Sequence, residues 1–284
     1  MNRRAFLRLL GKTVIGAGIS GGAGAGYAAK IEPHWPELVH VELPLPRLPR
    51  ELDGFSIAQM SDMHLVSDPD LPNFTHPEDV RRGVSMINSL KPQMVVLTGD
   101  LFYGNPDFAL VCAQELAALQ APFGIFAIMG NHERWIEPDE AEEPLREVGL
   151  QVLCNASQPV KVKNSELWLL GMDDLIWQLG DLERTMEGVP EEAFKILLVH
   201  EPDFADEAAQ HRIDLQLSGH SHGGQVRLPG IGPLFLPEMA QKYPMGLYRV
   251  EQMRLYTNRG LGMVRPTIRF NCRPEITLFH LRAT

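Results

Sequence analysis

Cysteine is scarce in this chain, and the three that occur lie far apart. Cys112, Cys154 and Cys272 form no C-x-x-C pair, so neither a disulfide framework nor a cysteine zinc site organises the fold. Basic residues are also few, because 26 Lys and Arg stand against 36 Asp and Glu and give a formal net charge of -10. An acidic chain repels phosphate backbones, so we expect no nucleic-acid partner.

Long apolar runs are absent after residue 29, which excludes a multi-spanning membrane protein. Arg3 and Arg4 precede a mildly apolar stretch, residues 9–29, that holds seven glycines and one charge, Lys12. This arrangement predicts a twin-arginine export signal, with a cleavage site of small residues at 26–28. The stretch is also long enough to remain as a membrane anchor. We expect residues 1–29 to be a signal peptide or anchor and residues 30–284 to form a single domain.

The predicted destination follows from the signal. Twin-arginine signals are read by the twin-arginine translocase, which we therefore expect to be a partner. The protein would reach the periplasm or the outer face of the cytoplasmic membrane.

Apolar runs alternate with helical segments along the rest of the chain. Predicted strands at residues 55–60, 94–98 and 124–129 are separated by helices, and the first helix is expected to start at a capping box of Thr75 and Glu78 and to run to residue 90. Residues 38–43 form an alternating pattern typical of an edge strand. Strands at 167–170 and 195–199 follow, and the chain becomes rich in β-structure after residue 215. The pattern predicts an α/β fold.

Polar residues that can bind metals follow five of these apolar runs. They are Asp62 and His64, Asp100, Asn131 and His132, His200, and His220 and His222. Functional groups in open α/β sheets gather at the carboxyl ends of strands, so we expect these side chains to meet. Oxygen and nitrogen ligands without sulfur suit two divalent transition-metal ions such as Mn, Fe or Zn, with Asp100 as the bridging carboxylate. His132 is expected beside the metals without binding them.

The ordered set of motifs Asp62-Met63-His64, Gly99-Asp100, Gly130-Asn131-His132-Glu133, His200 and Gly219-His220-Ser221-His222 resembles the calcineurin-like metallophosphoesterase family. The resemblance implies a four-layer fold, two packed mixed β-sheets flanked by helices, with the metals at the strand carboxyl ends. It implies one metal held by Asp62, His64, Asp100 and His222, and a second held by Asp100, Asn131, His200 and His220. It also implies that a metal-bridging hydroxide attacks phosphorus in line while His132 stabilises the transition state or protonates the leaving oxygen.

Residues 219–225, the export signal and the tail segments 258–262 and 269–275 resemble a bacterial branch of exported phosphodiesterases that includes UDP-2,3-diacylglucosamine pyrophosphatases. The branch implies a phosphodiesterase or pyrophosphatase acting on an envelope phospholipid or a nucleotide-sugar lipid such as UDP-2,3-diacylglucosamine. A general phosphomonoesterase and an inactive metal-bound protein that binds envelope polymers or lipid remain as alternatives.

The sequence does not identify the substrate-binding residues. Three further features have two interpretations each. Arg134 and Trp135 either grip phosphate or base or have no role in binding. The acids Asp173 and Asp174 either cap the next turn or face the site. The apolar segment 228–237 either packs under a sheet or contacts an acyl chain or a membrane surface.

Overall fold

The computed structural model describes residues 24–284. The predicted signal or anchor therefore lies outside the described residues as far as residue 23, and residues 24–30 are helical. No helix of the described residues is long and apolar enough to cross a membrane.

Fourteen strands account for the sheets of the described chain. They are β1 (Glu37–Leu45), β2 (Ser56–Met60), β3 (Met94–Thr98), β4 (Ile125–Ile128), β5 (Gln151–Val152), β6 (Ala156–Val162), β7 (Ser165–Gly171), β8 (Lys195–Leu198), β9 (Leu215–Ser218), β10 (Arg227–Leu228), β11 (Gly232–Pro233), β12 (Gly246–Val250), β13 (Met253–Thr257) and β14 (Glu275–Ala283). The helices are α1 (Pro77–Leu90), α2 (Pro106–Leu116), α3 (Pro138–Glu147), α4 (Leu182–Thr185) and α5 (Ala205–Ala208).

The strands form two six-stranded mixed sheets and one short pair, β10 and β11. The first sheet has the order β1-β14-β2-β3-β4-β5, in which β2 to β5 are parallel and β14 is antiparallel to β2. The second sheet has the order β12-β13-β9-β8-β7-β6, with a parallel centre and an antiparallel strand at each edge. β1 lies at the edge of its sheet, as the alternating sequence predicts.

The two sheets pack face to face and helices cover their outer faces. One core lies between the sheets and includes Ile57 of the first sheet and Ile196 of the second. A second core joins the first sheet to α1, α2 and α3, and a third joins the second sheet to α5. β3 is buried at all five positions because it has helices on one face and a sheet on the other. The four-layer prediction is confirmed.

One local prediction was wrong. The first helix is capped by His76, whose backbone N–H donates to Asp79 at 3.3 Å, and not by Thr75 and Glu78. Pro77 explains the shift, because proline is favoured at the first helical position and places the cap one residue before it. Strand β6, which the sequence analysis did not predict, contains Pro159 and lies at the edge of its sheet, where a missing N–H donor is tolerated.

Candidate metal centre

The polar residues singled out from the sequence all lie just beyond the carboxyl ends of parallel strands. Two follow β2, one follows β3 and two follow β4 in the first sheet, whereas one follows β8 and two follow β9 in the second. The packing of the sheets brings these ends to a common edge, since the Gln59 side chain donates to Thr98 Oγ1 at 2.9 Å and to the Ser218 carbonyl across the interface at 3.0 Å. The side chains of both sheets therefore meet in one place.

The first cluster consists of Asp62, His64 and His222, whose potential ligand atoms lie within 4.8 Å of one another. The Nε2 atoms of His64 and His222 are 2.9 Å apart. Asp62 Oδ1 lies 3.4 Å from His222 Nε2, and all three side chains are buried. Two imidazole nitrogens at this distance repel each other unless a proton or a cation lies between them, so the cluster has the chemistry of a cation site.

The second cluster consists of Asp100, His200 and His220, again with potential ligand atoms within 4.8 Å. Asp100 Oδ2 is 3.2 Å from His200 Nε2 and 3.4 Å from His64 Nε2. Asp100 thus faces imidazoles of both clusters, which is the position that a bridging carboxylate requires.

Hydrogen bonds fix the orientation of two of the imidazoles. His200 Nδ1 donates to the Thr98 carbonyl at 2.7 Å, and His220 Nε2 donates to the Glu238 carbonyl at 2.8 Å. A ring nitrogen that donates to a carbonyl leaves the other nitrogen with a free lone pair. His200 Nε2 and His220 Nδ1 are therefore the atoms that remain available to a metal.

Several buried polar atoms at the site have no hydrogen-bond partner among the described residues: Asp62 Oδ2, Asn131 Oδ1 and His200 Nε2. Buried polar atoms are costly when unpaired. Because these atoms belong to residue types that bind divalent ions, the residues present fit a metal centre.

Burial and neighbouring charges shift the pKa values at the site. Burial lowers the pKa of His64 and His222 well below the usual range, so both rings are neutral and able to bind metal. Burial also opposes ionisation of Asp100, but the charge and the hydrogen bond of the facing His200 imidazole outweigh it and hold the pKa of Asp100 well below the ordinary value. Burial raises the pKa of Asp62 to about 7, so at lower pH a metal there must displace a proton.

The backbone at the ligands is strained. Five of the singled-out residues have positive φ angles between 45° and 66°, namely Asp62, His64, Asp100, His220 and His222. Left-handed conformations cost residues other than glycine of order 1–3 kcal/mol each, and they cluster at functional sites. Gly219, which precedes His220, lies close to the loop after β2. A side chain at position 219 would not fit, because its Cβ atom would collide with the side chains of Ser61 and Asp62.

Asn131 and His132 line the open side of the clusters. The His132 backbone N–H donates to Asp100 Oδ1 at 3.0 Å, and its ring lies 4.3 Å from the ring of Trp135 and 4.5 Å from that of His64. Its ligand atom is also within 4.8 Å of those of His64 and Asp100. His132 is thus within reach of both the centre and a bound substrate. The Trp177 indole N–H donates to the Asn131 carbonyl at 3.1 Å and holds this loop in place.

Glu133 is a positioning residue that sequence reasoning did not identify. Its buried carboxylate accepts backbone N–H groups from Gly130 at 2.7 Å, Asp100 at 2.9 Å and Phe102 at 3.1 Å. These bonds join the loop after β3 to the loop after β4 and so fix Asp100 relative to Asn131. The sequence offered one indication of a role for Glu133, which is its position at the end of the motif 130–133 that carries Asn131 and His132.

Arg134 is not available to a substrate. Its side chain is 3% exposed, and the guanidinium donates to Asp173 at 2.8 Å, to Glu142 at 3.0 Å and to Cys154 at 3.3 Å. The phosphate-gripping interpretation of Arg134 is therefore wrong. Asp174 Oδ1 accepts the Trp177 backbone N–H at 2.7 Å, which supports the turn-capping interpretation of this acidic pair.

A cleft of about 340 Å³ opens from the clusters. Asp100, Asn131, His132, His220 and His222 lie at its polar end, and the remaining wall is mostly apolar, formed by Val226, Leu234, Phe235, Pro237, Val264, Pro266 and Ile268. Ile231, Leu234 and Phe235 are 74%, 59% and 76% exposed, so they do not pack under a sheet. The loop that carries Leu234 and Phe235 passes close to Gly224, which lies two residues after His222. A Cβ atom at position 224 would lie 2.9 Å from the Phe235 carbonyl oxygen.

Gln225 lines this cleft, and Arg269 lies buried directly after Ile268, another of its lining residues. The Gln225 side chain donates to the carbonyls of Val264 and Pro266 and accepts the Val264 N–H at 2.8 Å. The Arg269 guanidinium is fully buried and donates only to backbone carbonyls, among them that of Gly262 at 2.6 Å. Both residues lie in segments on which the family resemblance rests, 219–225 and 269–275, but their hydrogen-bond partners could be seen only in the fold.

Comparison with known proteins matches residues 55–224 to the family model described as calcineurin-like phosphoesterase. The chain is 36% identical to the uncharacterized metallophosphoesterase YkuE of Bacillus subtilis over 100% of this chain and 99% of the relative. It is 29% identical to the phosphodiesterase YaeI of Escherichia coli over 99% of each chain. It is 33% identical to a transmembrane protein with metallophosphoesterase domain of Danio rerio, over 85% of this chain and 56% of that protein.

A solved structure supports the fold alone. The protein TT1561 of Thermus thermophilus superposes with a TM-score of 0.51 at 11% identity, over 73% of this chain and 90% of that one.

Proposed function

The chain belongs to the calcineurin-like phosphoesterase family, a family of hydrolases that act on phosphoester bonds, and from that premise we propose that it is a dinuclear metal-dependent phosphodiesterase. Asp62, His64, Asp100 and His222 would hold one ion, and Asp100, Asn131, His200 and His220 would hold the other. The observation that carries the proposal is the convergence of two ligand clusters on Asp100.

The bound ions would supply Lewis acidity and lower the pKa of a water molecule. The protein residues contribute orientation and proton transfer. Glu133 holds the two loops that carry Asp100 and Asn131 at a fixed separation, and the hydrogen bonds of His200 and His220 keep their free nitrogens pointed at the centre. His132, on the cleft side, would donate a proton to the leaving oxygen as general acid.

The apolar wall of the cleft supports a substrate with an apolar part. Such a substrate is an envelope phospholipid or a nucleotide-sugar lipid such as UDP-2,3-diacylglucosamine. Its phosphorus would lie at the polar end of the cleft, and its acyl part would lie along Leu234, Phe235 and Ile268. A simple phosphomonoester would leave this wall unused.

The proposed location is the periplasm or the outer face of the cytoplasmic membrane, reached through the twin-arginine translocase. Arg3 and Arg4 before the weakly apolar stretch support this proposal. Replacing both by Lys should leave a folded, active protein in the cytoplasm. Normal activity in the periplasmic fraction of that variant would argue against the route.

The test of function is an assay of purified, metal-loaded protein against a small phosphomonoester, a small phosphodiester and UDP-2,3-diacylglucosamine. The proposal predicts the highest kcat/KM for the lipid and a higher value for the diester than for the monoester. Preference for the monoester would replace the proposal with a phosphomonoesterase. Binding of the lipid without turnover of any substrate would indicate an inactive envelope-binding protein.

A further inference from the structure

We propose that the apolar rim of the cleft, defined as Ile231, Leu234 and Phe235, rests on a lipid bilayer, so that the cleft opens toward the headgroups; this inference rests on the proposed function. The three side chains stand on one loop around β11 and are each more than half exposed. Single exposed apolar residues are common on protein surfaces. Three together at the edge of an apolar cleft mark an interaction site.

The position of the N-terminal segment indicates what covers the rim. Residues 24–36 lie along the loop 269–273: the Arg269 N–H donates to the Ala28 carbonyl at 2.9 Å, and the Asn271 N–H donates to Glu32 at 3.0 Å. Arg269 directly follows Ile268, which lines the cleft. Residues 28–32 are therefore docked beside a residue of the cleft wall.

The stretch just before residue 24 is mildly apolar and carries little charge. Residues 9–23 carry a single charge, Lys12, so they favour an apolar environment. Residues 26–28, where the sequence suggested a cleavage site, lie in the docked helical segment, and Ala28 is buried. Proteolytic cleavage favours exposed, extended chain, so this docking favours retention of the segment. A retained apolar segment favours a lipid bilayer as the surface that covers the rim.

Local charge agrees with a lipid surface as the partner. The chain as a whole is acidic, with a formal net charge of -10, which disfavours approach to anionic lipid. Arg265 is the one Lys or Arg among the residues that line the cleft, and it is exposed. Lys and Arg side chains near a bilayer attract anionic headgroups, so Arg265 favours the orientation in which the cleft faces the membrane.

The test places an environment-sensitive fluorophore on the full chain, reconstituted in vesicles of phosphatidylethanolamine and phosphatidylglycerol. The labelled variant is Ile231→Cys, because Ile231 belongs to the rim without lining the cleft. The matched control is Leu110→Cys on α2, which is 49% exposed in the outer helix layer. The unsubstituted chain, treated in the same way, gives the background from Cys112, Cys154 and Cys272.

We expect the label at 231 to shift to shorter emission wavelength and to be quenched by lipids that carry spin labels on their tails, and the label at 110 to show neither change. Equal quenching at the two positions, or none at 231, would overturn the proposal. A second measurement uses Ile231→Asp, which should lower hydrolysis of vesicle-embedded UDP-2,3-diacylglucosamine about tenfold or more by removing one buried apolar contact. Equal hydrolysis of that lipid by Ile231→Asp and the unsubstituted chain would also contradict the docking.

The two proposals fail in different ways. Turnover of a small soluble diester by Ile231→Asp should equal that of the unsubstituted chain, because Ile231 is neither a proposed metal ligand nor a residue that lines the cleft. If the unsubstituted chain hydrolyses no phosphodiester at all, the proposed function fails whatever the quenching shows. If soluble diester turnover is intact and the label at 231 is not quenched, only the membrane docking fails.

Discussion

Replacement of Arg134 by Ala separates a structural role from a role in substrate binding. The guanidinium is 3% exposed and joins Asp173, which follows β7, to Glu142 on α3. Removing one partner of a buried ion pair generally costs about 3–5 kcal/mol, because the other charge is left buried without compensation. The change therefore tests whether this arginine stabilises the fold.

The remaining contacts set the magnitude at the lower end of that range. Without Arg134, Glu142 keeps its 2.9 Å contact with Arg146, and Asp173 still accepts the Asp174 N–H at 2.8 Å. We therefore expect Arg134→Ala to lower the free energy of unfolding by about 3 kcal/mol. For a domain of this size, 1 kcal/mol corresponds to a change in Tm of about 2–4 °C, so Tm should fall by about 6–12 °C.

The assay measures the Tm of the unsubstituted chain and of Arg134→Ala by thermal unfolding. It also measures the kinetics of both proteins on a soluble diester, at a temperature where both are folded. The matched control is Arg146→Ala, which removes a 48% exposed partner of the same Glu142 and should cost no more than about 0.5 kcal/mol. KM of Arg134→Ala should be unchanged, because the side chain does not reach the cleft. An unchanged Tm together with a raised KM would refute this reasoning and would indicate that Arg134 contacts the phosphate of the substrate.

Three further predictions concern the centre and the cleft. His132→Ala should lower kcat by about 10² to 10⁴-fold with both metals retained, and loss of metal in this variant would identify His132 as a ligand. Phe235→Ser should raise KM for a UDP-linked diacyl lipid by about tenfold or more and barely change KM for a small diester; equal losses would indicate a fold defect. Metal affinity should decrease as pH falls below about 7, because burial raises the pKa of Asp62 to about 7 and its proton then competes with the metal. Calorimetric titration at several pH values measures this competition, and a pH-independent affinity would contradict it.

The ligand positions could be predicted because they depend on local order. Each follows an apolar run, and runs such as β3 are recognisable as strands buried on both faces. Once the strands are parallel, their carboxyl ends share an edge whatever the details of the loops. Asp62 and Asp100, which follow the neighbouring strands β2 and β3 of one sheet, therefore come together without knowledge of any contact.

The supporting residues could not be predicted because their partners lie far along the chain. Arg134 turns away from the cleft because Asp173 lies 39 positions later and accepts its guanidinium. Gln225 holds a loop 39 and 41 positions away. The direction of a loop side chain depends on such tertiary partners, and sequence spacing alone carries no information about them.

The most direct test of the central claim is the metal content of the purified full chain, measured by inductively coupled plasma mass spectrometry next to Asp100→Asn. A centre built on a shared carboxylate predicts about two transition-metal ions per chain in the unsubstituted protein and a clear loss in the variant, because both clusters face Asp100. Equal metal content in the two proteins would contradict the bridging role of Asp100. Failure of the unsubstituted chain to bind metal after incubation with excess Mn²⁺ or Zn²⁺ would contradict the metal centre itself.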